Sequence, residues 1–307
     1  MARRLIRHAL QVALLGFVAW YLYINWGDYA QVLQVAKPHW GPIVISTLLV
    51  VLAYLVLIQT WRQVVVAWGE RLDFSSAARI WFVSNLGKYV PGKVWAIAAM
   101  GTLAQEQGIS PAAAVGSSLV VQLVNIVTGF AVFFLVGAKT VDVPMGATMG
   151  VIAALTFAVF AAPAALPRTV AVVNRLTRRQ FVVPALPRRA IWWAAAGTAL
   201  AWVLYGWAFY YFAVGVSADA AKGSVADWTA LFIGPYLLGF IAVFAPGGLG
   251  VREVAMAEAL QRSGLATGAM AALLVAASRV WLTVLEIIPG VLLLLWKPRK
   301  RSVSSSH

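Results

Sequence analysis

The strongest constraint is a set of long apolar runs. A helix needs about 20 apolar residues to cross a bilayer. Runs of that order fall at 5–24, 41–67, 112–138, 145–166, 191–214 and 268–296. Lipid offers the backbone no hydrogen bonds, so such runs can only be helices. Composition agrees, with 62% hydrophobic and 11% charged residues among 307. An ordinary soluble domain has about 25% charged residues. A soluble enzyme, a disordered chain and a basic nucleic-acid-binding domain are thereby excluded. The fold class expected is all-α and polytopic.

Two further apolar stretches are interrupted. One covers 76–105 and breaks at Pro91-Gly92; the other covers 226–262 and breaks at Pro246-Gly247-Gly248-Leu249-Gly250. Proline lacks an N–H and glycine permits turns, so each stretch reads as two short helices. Most of their arms are short for full spans, and both are expected to be re-entrant hairpins; two full two-span hairpins would give ten spans with the same loop orientation.

The two Pro-Gly breaks lie 155 residues apart. Each interrupted stretch is preceded and followed by a long span. The chain thus divides into a first span and outer loop (1–40), repeat 1 (41–138), a linking span with a basic loop (139–190), repeat 2 (191–296) and a basic tail (297–307). Sixteen of the 24 Lys and Arg, among them Arg62, Arg71 and Arg79, fall in segments that share one side of the membrane under this division. The positive-inside rule places that side, with both termini, in the cytoplasm of a multi-pass cell (inner) membrane protein. Spans 41–67 and 191–214 then run in opposite directions, which makes the repeat inverted. Inverted repeats with broken helices mark alternating-access transporters.

The charges inside the membrane are few: Lys88, Lys93, Arg252, Glu253, Glu258, Arg279 and Glu286. A charge at the bilayer centre costs about 2.5–3.5 kcal/mol on insertion scales, so such residues face the protein interior and find partners. Lys88 and Lys93 bracket the first break, Arg252 and Glu253 follow the second, and Arg279 and Glu286 are seven apart on the last span. The expected headgroup-binding cations are Lys88, Lys93, Arg252 and Arg279. Glu253 and Glu286 are expected as counter-ions or coupling groups. Tyr89, Trp95, Gln122 and Trp281 are candidates for the lining. The second arm of each hairpin would direct free N–H groups at an anion, for which a lipid phosphate is the natural guest.

Other chemistry finds little support. The chain has no Cys and only three His, so no catalytic triad, metal site or cofactor is expected. Gly87 to Lys93 imitates the first part of a phosphate-binding loop, but Val94 stands where that loop needs Ser or Thr. Of 14 Trp, Trp61, Trp68, Trp192, Trp193, Trp228 and Trp296 are expected in an interfacial belt. Trp95, Trp207 and Trp281 are expected deeper.

Tyr89-Val-Pro-Gly-Lys-Val-Trp95 and Pro246-Gly-Gly-Leu-Gly-Val-Arg-Glu253 resemble the flippase-like family. This is the transmembrane region of lysylphosphatidylglycerol synthases and their stand-alone relatives. The resemblance spans about residues 10 to 295. Many members carry Gly-Glu and a later Arg after the first Pro-Gly, where this chain has Val94-Trp95 and an apolar arm. Ending eleven residues after Trp296, the chain looks like the flippase module without the synthase. The resemblance implies movement of an anionic, aminoacylated or sugar-linked lipid between leaflets, without enzymatic activity. The alternatives are a proton-coupled carrier of a small anion and a non-transporting partner of a lipid-synthesising or glycosyltransferase enzyme.

Overall fold

The computed structural model describes residues 38–89, 94–137, 146–155, 187–217, 222–241, 250–266 and 268–296, with Tyr23, Pro144, Phe157, Ala161 and Arg175 individually. Of the expected span 5–24 only Tyr23 is described; Pro91-Gly92 and Pro246 to Leu249 lie outside the described residues, while Gly250 at the end of the second break is described. The described chain is all helix: α1 Trp40–Ala67, α2 Phe74–Leu86 with a 3-10 turn at Gly87–Tyr89, α3 Val94–Glu106, α4 Pro111–Gly137, α5 Gly146–Leu155, α6 Arg188–Val216, α7 Val225–Ile241, α8 Val251–Arg262 and α9 Gly268–Leu295. Four of them, α1, α4, α6 and α9, are long and apolar enough to cross a membrane. Their outer faces fit that solvent. On α9, Val284, Ile288, Leu292 and Leu295 face outward at helical spacing, where lipid replaces water as their neighbour.

α1 and α6 form the central antiparallel pair. The His39 N–H donates to the Gly215 carbonyl at 2.8 Å, and Ser46 Oγ donates to the Ala208 carbonyl at 2.6 Å. Further along, Gly197 lies directly against Thr60. Small residues let the backbones approach, which is how helices gain contact where lipid supplies no hydrophobic drive. α4 joins α6 through a 2.8 Å contact between the Thr128 and Thr198 hydroxyls and a 2.8 Å bond from Trp202 Nε1 to the Asn125 carbonyl. α4 also packs on α7, and α9 packs on α2.

Each interrupted stretch starts and finishes at the same end of the bundle. For the first, Ser76 Oγ at the start of α2 meets Gln107 Oε1 beyond the end of α3 at 3.2 Å. For the second, Gly223 before α7 lies against Leu265 beyond α8. The two arms of each stretch pack on one another. α2 and α3 have 13 residues each, about 20 Å at the usual rise. α7 and α8 have 17 and 12.

Asp73 starts α2. Its carboxylate accepts from the Ser76 N–H at 3.0 Å and from the Ser75 hydroxyl. The Ser75 bond, aided by Ser76, lowers its pKa to about 2. A depressed carboxylate stabilises the fold above its unfolded value near 4, and that contribution disappears as pH falls through about 2. Asp73→Ala should cost about 1 kcal/mol at neutral pH, read as a lower unfolding midpoint. The difference from wild type should shrink below pH 3.

Two features depart from expectation, and a third adds to it. Arg79, one of the orienting cations, is 8% exposed. Its Nε donates to the Leu293 carbonyl at 3.3 Å and its Nη1 lies 3.9 Å from Glu106. It therefore ties α2, α3 and the carbonyl end of α9 together, where a cation suits the helix dipole. Trp61 and Trp228, expected in the belt, are at most 1% exposed. Trp61 Nε1 donates to the Ala114 carbonyl at 3.3 Å, which satisfies its one polar atom inside the core. Trp192, Trp193 and Trp296 do face outward.

Candidate functional site

The site forms where both interrupted stretches meet α9. At the end of α2, Gly87 lies against the backbone of Ala96 in α3, and Leu86 lies against Gly290 of α9. These close approaches bring the 3-10 turn to the middle of α9. Lys88 pairs with Glu286, and the Tyr89 hydroxyl donates to Glu286 Oε2 at 2.7 Å. The Lys88 ammonium also lies 5.2 Å from the Tyr89 ring centre.

At the second stretch, Gly250 has φ +83°, a conformation that an L side chain resists. It caps α8. Glu253 Oε2 accepts from the Gly250 N–H at 2.7 Å, while Glu253 Oε1 accepts from Arg279 Nη1. One carboxylate thus fixes the start of α8 and joins it to α9. Arg252 turns elsewhere. Its guanidinium lies 4.7 Å from the Tyr236 ring centre and 5.4 Å from that of Phe232, both on α7. Cations are attracted to such ring faces. A small cleft is lined by Arg252, Glu253, Met256, Val275, Ser278 and Arg279, with room for about one water.

Arg279 and Glu286 share a face of α9 about 10 Å apart along its axis. They do not pair with each other: each reaches a different interrupted stretch. α9 therefore carries one charged partner for each. Lys88 with Glu286 and Arg279 with Glu253 form neutral pairs. Among the described residues Arg252 makes no ion pair.

The remaining site expectations divide as follows. Lys93, Pro91, Gly92, Pro246, Gly247 and Gly248 lie outside the described residues. Trp281 stacks on Phe212 at 4.6 Å and donates from Nε1 to Thr47 Oγ1 at 3.2 Å, anchoring α9 to α1 and α6. Trp95 and Trp207 are surface-facing, at 43% and 45% exposure. Gln122, half-buried on α4, does not line the cleft. Glu258 pairs with Arg262 at 2.7 Å on the surface of α8. Sequence reasoning missed Phe232 and Tyr236, the rings that hold Arg252. The phenol of Tyr236 inside an apolar run was the available signal, since a buried hydroxyl is costly without a role.

The profile of one family, described as Lysylphosphatidylglycerol synthase TM region, matches residues 8–286. The chain belongs to that family. The match runs through α1 to α8 and includes both interrupted stretches and the Arg279–Glu286 segment of α9. As a member of the Lysylphosphatidylglycerol synthase TM region family it is a multi-pass membrane protein of a lipid-related group. No curated protein matches the chain by sequence.

Proposed function

We propose that the chain is a translocase that moves an anionic lipid between leaflets. The observation that carries this is Arg252. It is a cation without an ion pair among the described residues, it stands at the start of α8, and it shares a cleft with Arg279. A headgroup phosphate placed there meets the Arg252 guanidinium, held over the Phe232 and Tyr236 rings, and the Arg279 guanidinium, paired with Glu253.

The fold supports the rest of the reading. Arms of 13 residues that return to the end they left are too short to span, which favours re-entrant hairpins. α1, α2/α3, α4 and α6, α7/α8, α9 repeat one order of long and short helices. The packing of α4 on α7 is matched by that of α9 on α2, as an inverted repeat requires. Rocking of one repeat on the other would expose the cleft to each leaflet in turn. The positive-inside rule favours a cytoplasmic side for Arg62, Arg71, Arg188 and Arg189. The cleft has room for about one water beside its one ion pair, Arg279 with Glu253. Cargo phosphate would compete with Glu253 for Arg279 while Gly250 keeps hold of the displaced carboxylate.

The test is flipping of a fluorescent phosphatidylglycerol in proteoliposomes. A charge-assisted hydrogen bond is worth about 1.5–3 kcal/mol, so Arg252→Ala should slow flipping about 10- to 100-fold. Flipping by a folded Arg252→Ala protein at the wild-type rate would remove the assignment.

A further inference from the structure

The helices α1, α4, α6 and α9 are described along their whole length, which lets the seams between them be compared. Under the inverted repeat, α4 against α6 corresponds to α9 against α1. The surroundings of these two seams agree. α4 and α9 each meet the other half at a glycine: Gly234 of α7 lies against Phe133 of α4, and Gly290 of α9 lies against Leu86 of α2. Each also meets the second arm of its own half through a serine and a methionine. Ser118 of α4 donates to Met100 Sδ of α3 at 3.2 Å, and Ser278 of α9 to Met256 Sδ of α8 at 4.0 Å.

The seams themselves do not agree. α4 lies directly on α6. The Thr128 and Thr198 hydroxyls meet at 2.8 Å, Trp202 Nε1 donates to the Asn125 carbonyl at 2.8 Å, and a Cβ at Gly129 would lie 2.9 Å from the Trp202 ring. α9 reaches the central pair chiefly through one long side chain. Trp281 donates to Thr47 Oγ1 of α1 at 3.2 Å and stacks on Phe212 of α6 at 4.6 Å, and α9 otherwise touches both helices sparsely. The first arms follow their neighbours. α7 packs on α6 more closely than α2 packs on α1, with Thr229 directly against Gly206.

We propose that α4 and α9 are paired gates on the α1–α6 pair, and that the shut gate opens between Thr128 and Thr198. Two like halves give alternating access by exchanging conformations, so corresponding seams must differ in any one state. Here the α4 gate is shut and the α9 gate ajar. The opposite state parts α4 from α6 and brings α9 onto α1. The α1–α6 pair is the fulcrum, closed along its length by His39 with Gly215, Ser46 with Ala208 and Thr60 with Gly197. The α4–α6 seam suits opening. Among the described residues no ion pair crosses it, and neutral hydrogen bonds between membrane helices are weak enough to break and remake. The use of the gate rests on the translocase reading, but its movement can be read without cargo.

The chain has no cysteine, so introduced pairs report alone. Oxidation of Thr128→Cys with Thr198→Cys should slow flipping of fluorescent phosphatidylglycerol in proteoliposomes at least about tenfold, and reductant should restore it. Thr60→Cys with Gly197→Cys ties α1 to α6, where a Cβ at position 197 would lie 3.0 Å from the Thr60 Cβ. Its oxidation should leave flipping unchanged. Full flipping by the cross-linked Thr128–Thr198 pair overturns the gate. Equal loss from both cross-links overturns the division into gate and fulcrum. The second readout needs no lipid cargo and serves also if the first pair fails to fold. Spin labels on Leu135→Cys of α4 and Leu200→Cys of α6, both outward-facing, should give two separations in nanodiscs. A single separation overturns the gate even where wild type flips lipid. Two separations without flipping by wild type keep the gate and count against the translocase.

Discussion

Arg279→Met should lower the unfolding free energy by about 2–4 kcal/mol, a little less than the roughly 3–5 kcal/mol for breaking a fully buried ion pair. The side chains of Arg279 and Glu253 are 22% and 27% exposed, so some solvation remains when the pair is lost. The cost arises from what is left behind. Glu253 would keep its bond to the Gly250 N–H but lose its cation inside an apolar bundle. Adding Glu253→Gln should therefore recover a large part of the loss, because an amide can still cap α8 and leaves no stranded charge. A double-mutant cycle on unfolding in detergent micelles reads this coupling directly. Additive losses would show that the two side chains do not depend on each other. The Lys88–Glu286 pair should couple more weakly, since Lys88 is 41% exposed and solvent screens it.

The contrast between the two pairs explains how much of the site the sequence made legible. Intramembrane charges are expensive, so counting them found Lys88, Arg252, Glu253, Arg279 and Glu286 without any coordinates. Their pairing was not legible. The spacing of seven put Arg279 and Glu286 on one face of α9, which is correct, but a shared face says nothing of what lies opposite. Adjacent Arg252 and Glu253 could be read as a local pair. In the fold they diverge, Glu253 toward α9 and Arg252 toward the rings of α7. Successive residues on a helix point about 100° apart, and only tertiary packing decides what each meets.

The same limit applies to the fold. The long spans were visible because about 20 consecutive apolar residues have one structural outcome in lipid. Trp61 and Trp228 were misplaced, and the burial of Arg79 was not foreseen, because a residue near a span end can face either lipid or core. Hydropathy along the chain does not distinguish the two. Trp61 is internal because α4 offers the Ala114 carbonyl. Arg79 is internal because the end of α9 offers the Leu293 carbonyl. Both partners are remote in sequence.

Gly87→Ala is the second large effect, and it comes from a residue without a side chain. A Cβ at position 87 would lie 2.6 Å from the Ala96 amide nitrogen, 2.7 Å from its Cα and 2.9 Å from the Trp95 carbonyl carbon. Backbone φ is not the obstacle, since Gly87 has φ −63°, a value that alanine adopts freely. The obstacle is that all three atoms belong to main chain, which cannot rotate away as a side chain can. α3 must shift, or the 3-10 turn must unwind. Overpacking of this kind costs about 1–3 kcal/mol. Either adjustment also moves Lys88 and Tyr89 away from Glu286, so lipid flipping should fall with stability. Gly101→Ala, in the same α3, separates this cause from a general sensitivity to glycine replacement. Its nearest new neighbour would be the Pro111 Cβ at 3.5 Å, an ordinary contact. Alanine there should be neutral or add up to about 1 kcal/mol through helix propensity. Opposite shifts of the unfolding midpoint for the two variants are the expected result. Equal midpoints for Gly87→Ala and wild type would mean that α2 and α3 do not approach so closely, and the placement of Lys88 against α9 would lose its structural basis.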